Sequence, residues 1–516
     1  MWLGGKMIKR ITALLTAIAL TACSADIAAG RPTITEGEAV ISMNNGIRTE
    51  TLARAYKSAE NGNPISGQIY CADPTAVEYN GRLYVYGTND HQQYDAVGRD
   101  GKNSYEKIRS LVVFSTEDMV NWTYHGTIDV GGIAPWIYAS WAPSIVSRVE
   151  DDGLTHFYLY FSNSGSGVGV ITSTDPVTGW SDPLGHPLVS QATEGLGDCP
   201  TPFDPGAVID GNGVGWLSFG AGKAQDGSDY MPKVARIVRL GSDMISLDSE
   251  IAEIPDYYHF EASELNYIGD TYVYTYNTSW VERSVWENAK IAAPSQCSMA
   301  YMTTKTPLDP ESWEYRGHYF LNPGESGESY SNNHTHVHKF KGKYYVFYHT
   351  LALQDARGIK GGFRSLSVEE LDVNEKTLEV ALTGASKSGA KQVGTLDPYY
   401  AHAGAEMSTG AGIEFVDTDG ALNRVSPMST QEGAWIEVKG AKLSGGSKLY
   451  ATLSGKGRVE LRMGAVDGET VAAIDFDCAE PATYYANIDS RLSGTKDIYF
   501  VFSDADITMY AWEIAK

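Results

Sequence analysis

Three acidic residues of the 516-residue chain each come just before an apolar, aromatic-rich run. They are Asp73 in CADPTAV, Asp204 in TPFDPGAVID and Glu261 in YHFEASELNY. Two carboxyl groups in different protonation states can hydrolyse a glycosidic bond, because one protonates the leaving oxygen while the other activates water. A third carboxylate nearby raises the pKa of the acid by repulsion. A single Asp-Pro pair is usually a turn residue, so the hypothesis depends on whether the fold brings the three together.

A short aromatic-rich strand pattern recurs five times between residues 80 and 350. Each copy opens near glycine or aspartate and alternates large apolar residues, which predicts a β-strand. The copies are NGRLYVYGT at 80–88, LTHFYLYFSN at 154–163, GVGWLSFGAG at 213–222, GDTYVYTYNTS at 269–279 and GKYYVFYHT at 342–350. Five such units predict an all-β fold, a five-bladed β-propeller, with a pair of β-sandwiches as the alternative.

In a propeller, the innermost strand of each blade starts near the central axis, so the residues ahead of the five repeats converge on one face. We therefore expect the three carboxylates to share a funnel with Trp141 of SWAPSIV and His334 of SNNHTHVHKF. Glu264 lies three residues after Glu261, and an odd offset on a strand faces the opposite side unless a bulge intervenes. Glu261 is therefore the better candidate for the acid, and Asp210 is interpreted as a turn residue.

The ordered motifs ADPTAV, FDPGAVID and FEASELNYIGDTYVYTY resemble those of glycoside hydrolase family 43, over roughly residues 66–385. The resemblance implies a five-bladed propeller that hydrolyses arabinose- and xylose-containing polysaccharides with inversion. It also implies roles for the three carboxylates. Asp73 would be the general base, Glu261 the general acid, and Asp204 the residue that tunes the pKa of the acid and orients it.

Further segments resemble the arabinoxylan-debranching arabinofuranosidases of this family, among them MVNWTYHGTIDV, SWAPSIVSR, NNHTHVHKFKGKYYVFYH and GGFRS. This closer resemblance implies that Trp141 and Phe203 contact the substrate and that Arg364 donates a hydrogen bond to a sugar hydroxyl. The residues by themselves leave a core tryptophan and a surface arginine open.

The resemblance also places His334 where the family often has a histidine near a calcium ion in the central channel. A structural calcium is therefore an expectation, while the chemistry itself requires no cofactor. The HTHVH spacing at 334–338 would place three histidines on one strand face, which leaves a transition metal as the weaker alternative.

The formal net charge of −24 argues against a nucleic-acid partner or an anionic membrane surface, whereas a neutral polysaccharide is compatible with it. Cys71, Cys199, Cys297 and Cys478 show no CxxC spacing, so a zinc site is not expected. Buried free thiols and a disulfide of unknown pairing both remain open.

The N-terminus has the layout of a bacterial lipoprotein signal. Basic residues precede the short apolar run ITALLTAIALTAC, and Leu20–Cys23 resembles a lipobox. We expect a signal peptide over 1–22, lipidation of Cys23, a polar tether over 23–66 and export to the periplasm, outer membrane or cell surface. The alternative is an ordinary cleaved signal.

The propeller is expected over 67–390, and the repeats stop before 396. Residues 396–516 contain short alternating strands joined by Gly, Ser and Asp turns, which predicts a β-sandwich. This region resembles carbohydrate-binding module family 6. Tyr510, Trp435 and Trp512 are candidate sugar platforms, but at least two of them are expected to be core residues.

The predicted function is an inverting, exo-acting α-L-arabinofuranosidase that acts as a monomer on arabinoxylan. A β-xylosidase and an arabinan-degrading enzyme are alternatives on the same scaffold. A glycan-binding surface lipoprotein with an inactive propeller is the alternative from another class, and the presence of all three carboxylates argues against it.

Overall fold

The computed structural model describes residues 52–516, apart from 198, 222–233, 282, 284, 285, 287, 289, 420–423 and 489–490. The predicted signal peptide, Cys23 and most of the predicted tether lie outside the described residues. No helix within the described ranges is long and apolar enough to cross a membrane. The all-β class and the five-bladed propeller are confirmed.

Each blade is an antiparallel sheet whose strands follow one another in the chain. Blade one consists of β1 Ala72–Tyr79, β2 Arg82–Thr88, β3 Leu111–Thr116 and β4 Trp122–Ile128. Blade two consists of β5 Trp141–Val149, β6 Thr155–Ser162, β7 Gly167–Ser173 and β8 Val189–Ser190. Blade three consists of β9 Gly206–Ile209, β10 Gly215–Phe219, β11 Arg236–Arg239 and β12 Ala252–Glu253.

Blade four consists of β13 His259–Ile268, β14 Thr271–Thr278, β15 Met299–Thr304 and β16 Glu314–Phe320. Blade five has the three strands β17 His336–Phe340, β18 Lys343–Thr350 and β19 Ser365–Leu371 among the described residues. A two-stranded hairpin follows, formed by β20 Val373–Asn374 and β21 Glu379–Val380. The α-helices of the described propeller are short: α1 Asp90–Val97, α2 Val130–Ile133 and α3 Ala352–Ala356.

The five repeats form the second strand of each blade, and both of their faces are buried because each blade packs between two others. Leu83 and Val85 of β2 belong to a hydrophobic cluster with Phe347 of blade five. Tyr84 and Tyr86 face the other way, into a cluster with blade two. Similar clusters join blades two and three, three and four, and four and five, which closes the ring. Successive side chains of a strand point to opposite faces of the sheet, and both faces of these strands are buried. This explains why large aromatic and aliphatic residues follow one another in the repeat.

The last part of the predicted tether is packed, which corrects the tether's C-terminal boundary. The Ile65 amide donates to the Leu366 carbonyl at 2.8 Å, and the Asn63 side chain donates to the Val368 carbonyl at 3.2 Å. The buried Lys57 ammonium donates to the Ser408 carbonyl at 2.8 Å. These hydrogen bonds tie residues 52–66 to blade five and to the C-terminal region, so this segment is part of the fold.

The C-terminal region forms a nine-stranded antiparallel sheet that closes on itself almost completely. Three short strands come first: β22 His402–Ala403, β23 Glu406–Met407 and β24 Thr409–Ala411. Of these, β23 is not part of the nine-stranded sheet but joins blade one by pairing with β4. The longer strands are β25 Ile413–Asp419, β26 Arg424–Ser429, β27 Ala434–Ser444, β28 Lys448–Met463, β29 Glu469–Asn487, β30 Ser493–Phe502 and β31 Thr508–Ala515.

Two of the three candidate sugar platforms lie inside this C-terminal sandwich, as expected. Trp512 is completely buried in its core, and buried Trp435 donates from Nε1 to the Ala53 carbonyl at 2.9 Å. Tyr510 is half-buried, with its hydroxyl 3.1 Å from Ser454 Oγ. Sugar binding by this region stays a prediction. Of the three candidate side chains, Tyr510 is the one that is not buried.

Cys71, Cys199, Cys297 and Cys478 form no disulfide with one another, and the first three are buried. Of the two possibilities left open by the sequence, the structure thus favours thiols over a disulfide among these four.

Candidate active site

The strands that open blades one, two and four share a bulge at their first residues. Between two flanking pairs, two residues of the opening strand oppose one of its neighbour: Ala72 and Thr75 pair with Thr88 and Tyr86, Trp141 and Ser144 with Ser162 and Tyr160, and Glu261 and Glu264 with Asn277 and Thr275. A residue with positive φ lies at the entry of blades one to four: Asp73 at 50°, Ala142 at 35°, Asp204 at 45° and Ala262 at 61°. Such bulges bend a strand and redirect its side chains.

This register corrects the assumed equivalence of the three carboxylates. Asp73 and Asp204 occupy the positive-φ position, which in blade four is Ala262. Glu261 lies one residue earlier, at the position of Trp141 in blade two. The three acids therefore reach the centre from two different positions of the bulge.

Asp73 is held as a carboxylate by the residues around it. Arg364 Nη1 donates to its Oδ1 at 2.8 Å, and both side chains are buried. Burial opposes ionisation, but Arg364 and then the two histidines nearby outweigh it and lower the pKa of Asp73 to about 2. The Nδ1 of His349 accepts a hydrogen bond from the backbone amide of Asp73, and its Nε2 lies 3.0 Å from the Asn332 carbonyl. This arrangement fits a neutral imidazole protonated at Nε2. The positive charge that keeps Asp73 ionised is therefore that of Arg364.

Glu261 has the opposite character. Burial, with a contribution from the negative charge of Asp73, raises its pKa above the usual range. The Asn332 amide donates to Glu261 Oε1 at 2.9 Å and fixes the side chain. The two pKa shifts are opposite in sign, so Glu261 keeps its proton to a higher pH than Asp73 does.

Asp204 fixes the turn that carries Glu261. Its Oδ2 accepts the Ala262 amide at 2.7 Å, and its backbone carbonyl accepts the Ser263 hydroxyl. Burial, followed by the charges of Glu261 and Asp73, raises the pKa of Asp204 well above its usual value. The mutual influence of the three acids shows that they share one electrostatic environment.

Aromatic side chains line one side of this site. Trp141 and Phe203, both half-buried, meet edge to face with centroids 6.3 Å apart. Tyr105 packs against Trp141 with centroids 5.9 Å apart, and the Trp141 Nε1 donates to the Tyr105 carbonyl at 3.2 Å. The Arg364 guanidinium lies over the Tyr105 ring, 5.0 Å from its centroid, and so joins these aromatic residues to the carboxyl groups. We call this site the pocket. Aromatic rings beside two carboxyl groups with opposite pKa shifts suit acid–base hydrolysis of a sugar.

The profile of glycosyl hydrolases family 43 matches residues 61–377. The chain belongs to glycoside hydrolase family 43. An arabinoxylan arabinofuranohydrolase from Bacillus subtilis (strain 168) is 34% identical over 484 residues, which span 88% of this chain and 90% of that protein. A second one, from Paenibacillus polymyxa, is 29% identical over 483 residues, 88% of this chain and 74% of that protein.

A solved structure is similar over nearly the whole length of this family 43 hydrolase. It is the crystal structure of a family 43 arabinoxylan arabinofuranohydrolase from Bacillus subtilis in complex with cellotetraose. The TM-score is 0.83 at 30% identity, with 90% of this chain and 99% of that chain covered.

Arg364 of this family 43 hydrolase is buried, and carboxylates of the protein already accept hydrogen bonds from most of its donors. Besides Asp73 it contacts Asp90, with Nε donating to Oδ2 and Nη2 to Oδ1, both at 2.9 Å. Three of its five N–H donors are thus used by carboxylates. Its predicted bond to a sugar hydroxyl stays a prediction, and its observed contacts hold Asp73.

Sequence reasoning missed Asp90, His349 and Asn332. Asp90 is the first residue of α1, completely buried, and accepts bonds from the Arg364 backbone amide and from Asn103 as well. Asp90 and Asn332 lie outside the strand repeats, and His349 lies inside the fifth repeat, GKYYVFYHT, among residues that the repeat explains as strand residues. The repeat therefore marked none of the three as functional. The best available clue was Asp90 in YGTND, a charged residue directly after a buried strand.

The residues around His334 do not form a calcium site of protein ligands. His334 Nδ1 lies 3.5 Å from Asp73 Oδ1, an oxygen that Arg364 already contacts. Calcium takes about six to eight oxygen ligands. Across the described ranges no group of three or more His, Cys, Asp or Glu side chains is suited to a metal ion.

The HTHVH histidines are divided between different environments. His334 faces Asp73, whereas His336 Nδ1 lies 3.1 Å from Oε1 of the fully buried Glu264. A bulge does intervene between Glu261 and Glu264, so strand alternation alone does not separate the two side chains. Their contacts do: Glu264 meets His336 of blade five, whereas Glu261 meets Asn332. Burial raises the pKa of Glu264 well above its usual value, so it favours the neutral acid.

Proposed function

We propose that this family 43 hydrolase is an inverting, exo-acting α-L-arabinofuranosidase that removes arabinofuranosyl side chains from arabinoxylan. The observation that carries the proposal is the opposite shift of the pKa values of two carboxyl groups in one site, lowered for Asp73 beside Arg364 and raised for Glu261 by burial and the charge of Asp73. The substrate follows the names of the relatives that match most of the chain.

The reaction is a single displacement. Asp73 removes a proton from a water molecule, whose oxygen attacks the anomeric carbon from the face opposite the leaving group. The bond between the anomeric carbon and the glycosidic oxygen breaks, and Glu261 gives its proton to that oxygen. The products are arabinose of inverted configuration and a free hydroxyl on the polysaccharide. Proton exchange with water then restores ionised Asp73 and protonated Glu261.

Asp204, Trp141 and Phe203 position the reactants in this proposal. Asp204 holds the Ala262 amide and so the backbone next to Glu261. Trp141 and Phe203 form the wall against which a terminal arabinofuranose packs. Removal of one terminal sugar at a time is the behaviour expected of a pocket in which Asp73 is buried and Glu261 is half-buried.

Analysis of the products tests the substrate. Incubation with arabinoxylan, arabinan and xylo-oligosaccharides is expected to release arabinose from arabinoxylan. Release of xylose alone would favour a β-xylosidase, and release from arabinan alone an arabinan-degrading enzyme. A protein that binds these glycans but releases no sugar would be the glycan-binding lipoprotein.

The cellular setting is part of the proposal. The enzyme is exported, is anchored through a lipid on Cys23 and acts as a monomer; the support is the lipobox-like Leu20–Cys23. Metabolic labelling with a radioactive fatty acid is expected to mark the wild type and not Cys23→Ser, and equal labelling of both would exclude the anchor.

A structural calcium near His334 belongs to the proposal only as an ion held largely by water, without a step in the reaction. Removal of divalent cations with a chelator is therefore expected to leave the turnover rate unchanged. A loss of turnover that calcium restores would contradict this.

A further inference from the structure

Two aromatic rings are exposed together on the propeller. Trp280 is 39% exposed and Tyr330 is 61% exposed, and their ring centroids lie 6.4 Å apart. Most aromatic side chains of the described propeller are buried between blades. An exposed pair of aromatic rings next to a functional site marks a contact surface for a ligand or partner.

Both rings belong to segments that are fixed next to Glu261. Trp280 follows β14, in which Asn277 pairs with Glu261. The residue before Trp280 is Ser279, whose amide donates to the Tyr258 carbonyl at 2.7 Å. Tyr330 comes two residues before Asn332, whose side chain donates to Glu261 Oε1. The pair therefore lies on the side of the pocket that holds Glu261.

That side of the pocket receives the leaving group. In the proposed reaction Glu261 protonates the glycosidic oxygen, so the polysaccharide main chain must extend away from Glu261. Flat apolar rings with one polar edge suit the C–H faces of pyranose units, whose hydroxyls stay in water. We propose that Trp280 and Tyr330 form a platform on which the main chain of the polysaccharide stacks. This inference rests on the role proposed for Glu261.

A polar groove of about 390 Å³ begins one residue before Tyr330 and gives such a chain room to continue. Its lining includes Ser329, Asp355, Lys387 and Ser367. The Ser367 hydroxyl is buried and has no hydrogen-bond partner among the described residues. Charges of both signs with a free hydroxyl suit a neutral, hydroxylated ligand better than an ion, and the volume is in the range of small-molecule sites.

Kinetics on two substrates test the platform. Trp280→Ala and Tyr330→Ala are each expected to lower kcat/KM on arabinoxylan about tenfold, mainly through KM. On p-nitrophenyl α-L-arabinofuranoside, whose leaving group is too small to reach both rings, kcat/KM should stay at the wild-type value. Tyr330→Phe should keep wild-type activity on both substrates, because the ring remains.

Tyr138→Ala is the matched control, since Tyr138 is also 61% exposed but precedes blade two. It should behave as wild type. Equal losses on the small substrate would overturn the platform, because they would show distortion of the pocket itself. Unchanged kinetics on arabinoxylan for both alanine variants would overturn it too.

Direct binding separates this inference from the proposed function. Glu261→Gln protein is titrated calorimetrically with linear xylo-oligosaccharides that carry no arabinose. Binding that is lost in the added Trp280→Ala and Tyr330→Ala variants supports the platform even if the wild type releases no arabinose from arabinoxylan, a result that would refute only the proposed function. Binding that is unaffected by both changes, or rings that instead mediate self-association in sedimentation experiments, would overturn the platform.

Discussion

Among the described residues, the buried arginine–carboxylate clusters around Arg364 and Arg82 have nearly the same electrostatics and different surroundings. In the pocket, Arg364 contacts Asp73 and Asp90. At the junction of blade one with the C-terminal region, Arg82 contacts Glu406 at 3.3 Å and Glu117 at 3.0 Å. Each cluster overcomes the penalty of burial and lowers the pKa of one carboxyl group to about 2, Asp73 in the first and Glu406 in the second.

The difference shows that a lowered pKa alone does not identify a catalytic base. Glu406 is enclosed by donors, since His402 Nδ1 lies 2.9 Å from its Oε2 and Arg82 occupies Oε1. It lies on β23, the strand that attaches the C-terminal region to β4. Asp73, by contrast, shares its environment with Glu261, whose pKa is raised, and with a half-exposed aromatic wall. In the proposed mechanism, the pairing of a lowered with a raised pKa is what distinguishes the cluster around Asp73 from the one around Glu406.

The largest contrast is expected from isosteric amides. Glu261→Gln removes the proposed acid and should lower kcat on arabinoxylan by about 10²–10⁴-fold, with little change in the melting temperature. Glu406→Gln leaves Arg82 with one carboxylate fewer and should lower the free energy of unfolding by about 3 kcal/mol, with unchanged kcat per folded molecule. Steady-state kinetics and chemical denaturation of both variants measure the contrast. A loss of activity in Glu406→Gln without unfolding would contradict the predicted contrast between the two substitutions.

The pH dependence should distinguish the two arginines. In Arg364→Gln, the pKa of buried Asp73 is expected to rise by about 1–3 units, so the acidic limb of kcat/KM moves to higher pH. Arg82→Gln should leave this limb in place and lower stability only. The signs agree with linkage: a carboxyl with a lowered pKa stabilises the fold above its unfolded value near 3.9 and loses this effect as the pH falls through about 2. An unshifted limb in Arg364→Gln would show that Arg364 does not set the charge state of Asp73.

The smallest contrast concerns the outer partner of each arginine. Asp90→Asn weakens the bidentate contact that orients Arg364 and should lower kcat about tenfold through misplacement of Asp73. Glu117 is 28% exposed in its contact with Arg82, so Glu117→Gln should change the free energy of unfolding by less than about 1 kcal/mol and kcat not at all. Equal effects of the two substitutions on kcat would argue that Asp90 has no positioning role.

The sequence was informative where a repeat imposed the structure. The five strand repeats predicted the propeller, because a strand packed between two blades must carry large apolar residues on both faces, as Tyr84 and Val85 do. Convergence of Asp73, Asp204 and Glu261 followed from that topology. The offset of Glu261 from the two aspartates was not visible, because the bulge that produces it depends on the backbone of Ala262 and its contact with Asp204.

The remaining parts of the site depend on contacts between residues far apart in the chain. Arg364 meets Asp73 across 291 positions, and Asp90 across 274. The sequence around Arg364 gives no indication that its partners are Asp73 and Asp90. Sequence reasoning therefore predicts a sugar contact for Arg364 and misses Asp90. The segment 52–66 was taken for a tether because its composition is polar, although its backbone hydrogen bonds are made with blade five and the C-terminal region.

The division of labour between Asp73 and Glu261 is tested most directly with substrates that differ in leaving group. An aryl arabinofuranoside has a leaving group that departs without protonation, whereas the hydroxyl of a sugar needs an acid. Glu261→Gln is expected to keep most of its turnover on p-nitrophenyl α-L-arabinofuranoside while losing about 10²–10⁴-fold on arabinoxylan, and Asp73→Asn to lose turnover on both. Retention of aryl hydrolysis by Asp73→Asn, or an equal loss on both substrates in Glu261→Gln, would contradict the assignment of base and acid.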